Sequence, residues 1–125
     1  MDDVLFRDEV FAIQGAIFDV NREMGSGFLE AVYQECLAKE FELRNIPFSQ
    51  HKTVSLTYKG QALTQTYQPD FICYEAIILE LKVCQEISSA HRAQILNYLK
   101  ATKLRLGLLI NFGTHPKAQI ERFVL

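Results

Sequence analysis

Asp70, Glu80 and Lys82 stand in the stretch QPDFICYEAIILELK, Gln68 to Lys82. In a strand, alternate side chains face opposite ways, so Ile78, Glu80 and Lys82 share one face while Ile77, Leu79, Leu81 and Val83 share the other. A hairpin turn centred on Glu75 pairs residues whose numbers sum to 150, which sets Asp70 opposite Glu80. Two carboxylates facing each other across a ladder are about 5 Å apart between Cβ atoms and repel unless a positive charge offsets them. Their oxygens are hard ligands suited to Mg²⁺ or Mn²⁺, ions that keep several waters for chemistry at a phosphate. Lys82 alongside would orient or deprotonate a water beside such an ion, or stabilise charge on the phosphate. Pro69 cannot donate to the ladder, which suits a strand start where the sheet opens into a cleft. Equally compatible with these residues alone is Lys82 pairing with Glu80 or Asp70 on a wet sheet face.

Two further groups of side chains have chemical spacing. In GSGFLEAVYQECL, Gly25 to Leu37, a helix beginning near Gly27 or Phe28 puts Glu30 in its first turn and Tyr33 one turn along the same face. The helix dipole alone favours a glutamate there. The sharper reading has Glu30 enter the cleft as a third acid, Gly25 and Gly27 let the chain approach closely, and Tyr33 face substrate or join the core. In HRAQILNYLK, His91, Gln94 and Tyr98 fall on one helix face and Ile95 and Leu99 on another, core-facing one. Imidazole, amide and phenol together can hydrogen-bond a phosphate or a base, and a tyrosine can stack, although a polar solvated face has the same composition. His51 and His115 have no evident partners and read as surface.

The elements that must position these groups follow from periodicity. Val10, Ile13, Ile17, Val20 and Met24 are spaced 3-4-3-4, an apolar stripe on a helix over about 5–24 that ends at Gly25-Ser26-Gly27. A second helix is predicted over about 28–44, with Leu29, Val32, Cys36 and Leu43 on or near one face and Asn45 and Pro47 closing it. From His51 the period becomes two, and Lys59-Gly60 supplies a turn before Ala62 to Tyr67, a hairpin. Phe71 to Cys73 and Ile77 to Val83 make another around Tyr74-Glu75-Ala76. Ser88 or Ser89 is a helix N-cap, with Ile87 as a staple, for a helix reaching Thr102. Leu106 to Phe112 is then an apolar strand, and the strand-helix-strand order implies a right-handed crossover with parallel pairing of 77–83 and 106–112. Gln119 to Leu125 reads as either an edge strand or a short helix.

The 125 residues suit one domain, and 49% hydrophobic against 22% charged residues is a folding composition, not a disordered one. No apolar run nears the roughly 18 residues of a membrane span, and the start MDDVLFR lacks the pattern of a signal peptide, so a cytoplasmic protein is expected. Cys36, Cys73 and Cys84 form no CxxC pair, which points to buried, reduced thiols. A net charge of −2 argues against a strong nucleic-acid binder, but residues 1–81 carry six Lys and Arg against thirteen Asp and Glu, while 82–125 carry seven against two. The basic C-terminal third suits a polyanion, or is ordinary solvated surface.

Taken in order, Pro69-Asp70, Glu80-Leu81-Lys82, and Gln94 with Tyr98 in a QxxxY pattern resemble the PD-(D/E)xK nuclease superfamily and its RecB-like members. Gly27-Phe28-Leu29-Glu30-Ala31-Val32-Tyr33 further resembles the motif of the small bacterial GxxExxY proteins. The resemblance implies an α/β (α+β) fold of the restriction-endonuclease type, an αβββαβ core with a mixed sheet flanked by helices. It implies that Asp70 and Glu80 bind the metal with the Leu81 carbonyl, that Glu30 completes the site, and that Lys82 is the catalytic lysine. Gln94 and Tyr98, with His91 and Tyr33 beside them, would contact nucleic acid or position the attacking water. The implied activity is Mg²⁺- or Mn²⁺-dependent phosphodiester hydrolysis in DNA, with RNA open; the alternative is a catalytically silent nucleic-acid-binding or protein-interaction module. The stripe on the first helix and the small size suit a homodimer.

Overall fold

The 3-4-3-4 stripe becomes helix α1, Arg7–Met24, in a computed structural model that describes residues 5–125. Val10, Ile13, Ile17 and Val20 are all buried in the chain's own core. The apolar stripe cited for a homodimer thus packs within the chain itself. The expectation about the chain's first residues, Met1 to Val4, lies outside the described residues. Gly25 ends α1 at φ 70° and Gly27 follows at φ 106°, conformations that disfavour any side chain. The two glycines serve this backbone turn and not a close approach, since a Cβ at either would meet nothing within 4 Å.

Helix α2, Glu30–Leu43, buries Tyr33, Leu37 and Phe41. The face expected from Leu29, Val32, Cys36 and Leu43 is not the buried one, and Leu29 and Leu43 are each 78% exposed. Aromatic rings decide the rotation of this helix because they remove the most apolar area from water. Phe41 packs 5.6 Å from Phe48 and 5.4 Å from Phe71, while Tyr33 stacks on Phe112 at 4.5 Å.

A short strand that periodicity did not reveal, β1, Phe48–Gln50, precedes the first hairpin, β2, Val54–Tyr58, and β3, Gln61–Tyr67. Three residues are too few to display a period of two. The second hairpin is β4, Phe71–Cys73, and β5, Ile77–Lys82. Helix α3, Ser89–Thr102, and strands β6, Leu106–Asn111, and β7, Gln119–Val124, complete the chain. The main sheet has the order β1-β4-β5-β6-β7, and β2-β3 forms a separate two-stranded sheet. β5 and β6 pair in parallel from Ile77↔Leu106 to Lys82↔Asn111, as expected, and all other pairings are antiparallel. β7 settles the ambiguous terminus as an edge strand.

Helices cover both faces of the sheet. Ile77, Leu79 and Leu81 join Leu106, Leu108 and Ile110 in the cluster built with α1 and α2. On the opposite face, Ile95 and Leu99 of α3 lie against Gly107, where a Cβ would meet the Ile95 side chain at 3.0 Å. The mixed sheet flanked by helices is the architecture of a restriction-endonuclease-like α+β fold. Every residue of β5 except Lys82 is therefore buried. Glu80, with 8% of its surface exposed, is a carboxyl group inside an otherwise apolar strand.

Candidate functional site

The β4–β5 ladder follows the expected register: Phe71↔Leu79, Ile72↔Ile78 and Cys73↔Ile77 all sum to 150. One residue beyond, at Asp70 and Glu80, side chains take over from the ladder. The Asp70 N–H donates to Glu80 Oε2 at 2.9 Å, and the Leu81 N–H donates to Asp70 Oδ2 at 2.8 Å. Each carboxylate thus caps an amide of the other strand, which fixes both acids while the strands part. The preceding Pro69 has no N–H to leave unpaired, and its carbonyl accepts from the His51 N–H at 3.0 Å.

Glu30, the first residue of α2, lies within electrostatic reach of Asp70. The Gln34 amide joins the two, donating to Asp70 Oδ1 at 3.1 Å and to Glu30 Oε2 at 3.4 Å. Burial, and then the neighbouring Asp70 charge, raise the carboxyl pKa of Glu30 and push that of Glu80 up to about 7. Burial likewise raises Asp70, against the Leu81 N–H, His51, Lys82 and Gln34, which lower it. Lys82 acts in the opposite sense on all three acids, so one lysine serves three carboxyls.

The second support is aromatic. Tyr67, at the end of β3, donates its hydroxyl to Glu80 Oε2 at 3.1 Å, and its ring stacks on Tyr98 of α3, 3.4 Å between centroids. Burial, then the Glu80 and Asp70 charges, raise the Tyr98 pKa, so its phenol also feels the acids. Gln94, on the same helix, is solvent-exposed.

Two expected contact residues have other roles in the fold. Tyr33 has no exposed surface; its hydroxyl donates to the Gly25 carbonyl at 2.6 Å and fixes the loop before Glu30. A buried ring with a committed hydroxyl is a packing residue, which corrects its reading as substrate-facing. His91 closes a capping box: its amide donates to Ser88 Oγ and its Nδ1 accepts from the Ser88 N–H, both at 3.1 Å. The structure does not bring that ring among the acids.

Gln34, Tyr67 and Asn111 were not read from the sequence, and His51, exposed as expected, was read only as surface. Gln34 is four residues after Glu30, a spacing that puts both on one helix face. Tyr67 and His51 acquire their places only through pairing. Asn111 is a fully buried amide in an apolar strand, bonded to the Cys84 N–H at 3.1 Å and the Cys84 carbonyl at 2.9 Å. It holds the chain just after Lys82 against β6, and Gly113 allows the approach, because a Cβ there would lie 2.5 Å from the Cys84 oxygen.

The donor set fits a hard divalent cation, since buried, mutually repelling carboxylates gain most from a positive charge placed between them. Among the described residues no three His, Cys, Asp or Glu side chains form a finished metal cluster. The fit therefore rests on Asp70 and Glu80 as a pair.

The cysteines are unpaired: Cys73 is buried, which pushes its thiol up to about 12, and Cys36 and Cys84 are partly exposed, less buried than expected. Among the described residues no helix is long and apolar enough to cross a membrane.

Comparison with solved structures finds similarity to one titled "Crystal structure of SSO0001", at 15% identity and a TM-score of 0.57. The match covers 75% of this chain and 48% of that one, so this chain spans about half that protein's length, and the likeness concerns the fold. No curated protein matches the chain. The family model of the PD-(D/E)XK nuclease superfamily matches residues 7–123, nearly the whole sequence, and the chain belongs to that superfamily.

Proposed function

We propose that the protein is a divalent-cation-dependent phosphodiesterase that cuts nucleic acid, DNA in preference to RNA, with Asp70, Glu80, Lys82 and Glu30 as its working residues. One observation carries the reading: Asp70 and Glu80 each cap the other's strand where the ladder opens, and Lys82 offsets the charge of three acids there. Superfamily membership supplies the reaction class. The motif from Gly27 to Tyr33 adds a narrower reading, membership of the GxxExxY proteins. The three unpaired thiols suit a reducing, cytoplasmic setting.

Asp70 and Glu80 would hold Mg²⁺ or Mn²⁺, with the Leu81 carbonyl and Glu30 completing the oxygen set. When bound, the cation polarises the phosphoryl group and offsets charge on the attacking and leaving oxygens. The chain supplies the rest. Lys82, beside Glu80 on the open end of β5, donates to a phosphate oxygen where charge builds as water attacks phosphorus in line. Gln34, itself bonded to Glu30, holds Asp70 from the α2 side, and Tyr67 holds Glu80 from the hairpin side. Both acids thus keep their orientation when the phosphate arrives. Gln94 and Tyr98 of α3 would meet the sugar-phosphate chain with an amide and a phenol, Tyr98 from its stack on Tyr67 beside Glu80.

The alternative is a silent nucleic-acid-binding module, since a fold of this class can persist without its chemistry. Cleavage of labelled duplex, single-stranded and branched DNA, and of RNA, in Mg²⁺ or Mn²⁺ decides between them. The enzyme reading expects cation-dependent products and a loss of at least about a hundredfold in both Asp70→Ala and Lys82→Ala. Binding without products, or equal activity in the variants, overturns it.

A further inference from the structure

The hairpin β2–β3 differs from the acidic part of the chain in which it lies. Between Glu42 and Asp70 there is no aspartate or glutamate, and between Glu86 and Glu121, a span that includes α3, there is none either. The two acid-free segments meet in space, because Tyr67 of the hairpin stacks on Tyr98 of α3. Six of the seven residues of β3 are exposed, Leu63 at 43% among them, as is Tyr58 of β2 at 63%. Neither strand joins the main sheet. Lys59 and Gly60, at φ 48° and 79°, make the tight turn at its tip, and the Lys59 Nζ lies 5.5 Å from the Tyr58 ring centre.

The root of this ribbon is the candidate site itself. The β1–β4 pairing ends at Gln50↔Phe71, and His51, which follows at φ 56°, donates its N–H to the Pro69 carbonyl next to Asp70. At the other root Tyr67 bonds Glu80. A ribbon of five to seven residues reaches roughly 15–20 Å from its root at about 3.3 Å per residue.

The geometry points to β2–β3 as an arm that lies in the major groove of duplex DNA beside the phosphate to be cut, with Lys52 and Lys59 on flanking phosphates. A two-stranded ribbon fits the B-form major groove, about 12 Å wide, whereas the A-form groove of RNA is too narrow. Thr57, Thr64 and Gln65 offer hydrogen-bonding groups without negative charge, the composition a polyanion accepts. This inference rests on the nucleic-acid reading of the site and names the substrate form it receives.

The test separates the two. Binding of fluorescein-labelled duplex DNA and of duplex RNA is followed by anisotropy in EDTA, where no cleavage occurs, for the wild type, Lys52→Glu/Lys59→Glu and the charge-matched control Lys39→Glu on α2. Circular dichroism and melting confirm folding. The expected result is DNA affinity lower by about tenfold or more in the hairpin variant alone, with a salt slope smaller by about two. Unchanged DNA affinity and slope, equal weakening in the control, a wild type that does not bind duplex DNA, or a larger loss on RNA each overturns the proposal. Cleavage with Asp70→Asn is assayed separately in metal, so failure of the nuclease reading appears there and leaves the EDTA result interpretable.

Discussion

The two ends of the β4–β5 pair use the same backbone for opposite ends. From Cys73↔Ile77 to Phe71↔Leu79 the ladder is regular, and every one of those residues except Ile72 is buried. One step further, at Asp70 and Glu80, carboxylates stand where carbonyls would accept, and burial raises the pKa of both acids. The apolar end gains from desolvation and the acidic end loses by it. A fold that carries such an end keeps it against its own stability, which is the pattern expected where strain or uncompensated charge serves function.

The comparison breaks most visibly at the apolar end. Leu79→Ala empties a fully buried position between helix and sheet and is expected to lower unfolding free energy by about 2–5 kcal/mol, read from urea denaturation. At the acidic end the sign reverses. Glu80→Gln keeps an oxygen for the Asp70 amide and the Tyr67 hydroxyl but carries no charge. In the wild type the unfolded Glu80 carboxyl releases its proton near 4.5 and the folded one near 7, so the folded state holds the extra proton between those values. Stability in EDTA therefore falls as pH rises through that window, by up to about 3 kcal/mol from this group. Glu80→Gln flattens that fall and melts above the wild type at pH 8, while losing cleavage. Mg²⁺ or Mn²⁺ at pH 8 raises the wild-type melting temperature, and does so far less in the variant. A variant less stable than wild type at pH 8, or equal pH profiles, would show that the acidic end is not under the inferred charge stress.

How far the sequence alone foretells this contrast differs between its parts. The register of Asp70 and Glu80 was legible because the apolar alternation and the turn at Tyr74-Glu75-Ala76 leave one pairing that keeps Phe71 and Leu79 inside. The parallel β5–β6 pairing was legible from two apolar runs separated by a capped helix. The α2 face was not, since Leu29, Val32, Cys36 and Leu43 offer as plausible a stripe as Tyr33, Leu37 and Phe41, and only the aromatic partners Phe48, Phe71 and Phe112 decide. Tyr33 and His91 stayed open to two readings for one reason: a residue type capable of chemistry is also capable of packing or capping. Tyr67, 13 residues from Glu80 in sequence, becomes its partner only through the tertiary packing that sets the root of the hairpin beside β5.

That hairpin contact gives the smallest and sharpest break of the comparison. Tyr67→Phe keeps the ring that stacks on Tyr98 and deletes only the hydroxyl on Glu80 Oε2. The Asp70 amide still bonds the same oxygen, so the stability change is expected to be small, about 1 kcal/mol. Its informative property is its pH dependence. The phenol hydrogen bond lowers the Glu80 pKa, so its loss pushes that pKa further up and extends the fall in metal-free stability to higher pH. If the hydroxyl holds Glu80 for chemistry as well, the pH at which cleavage reaches half its maximum rises with it. A purely structural hydroxyl would lower the melting temperature equally at pH 5 and pH 8 and leave the cleavage profile in place. Parallel melting and activity titrations of Tyr67→Phe and wild type separate the two roles.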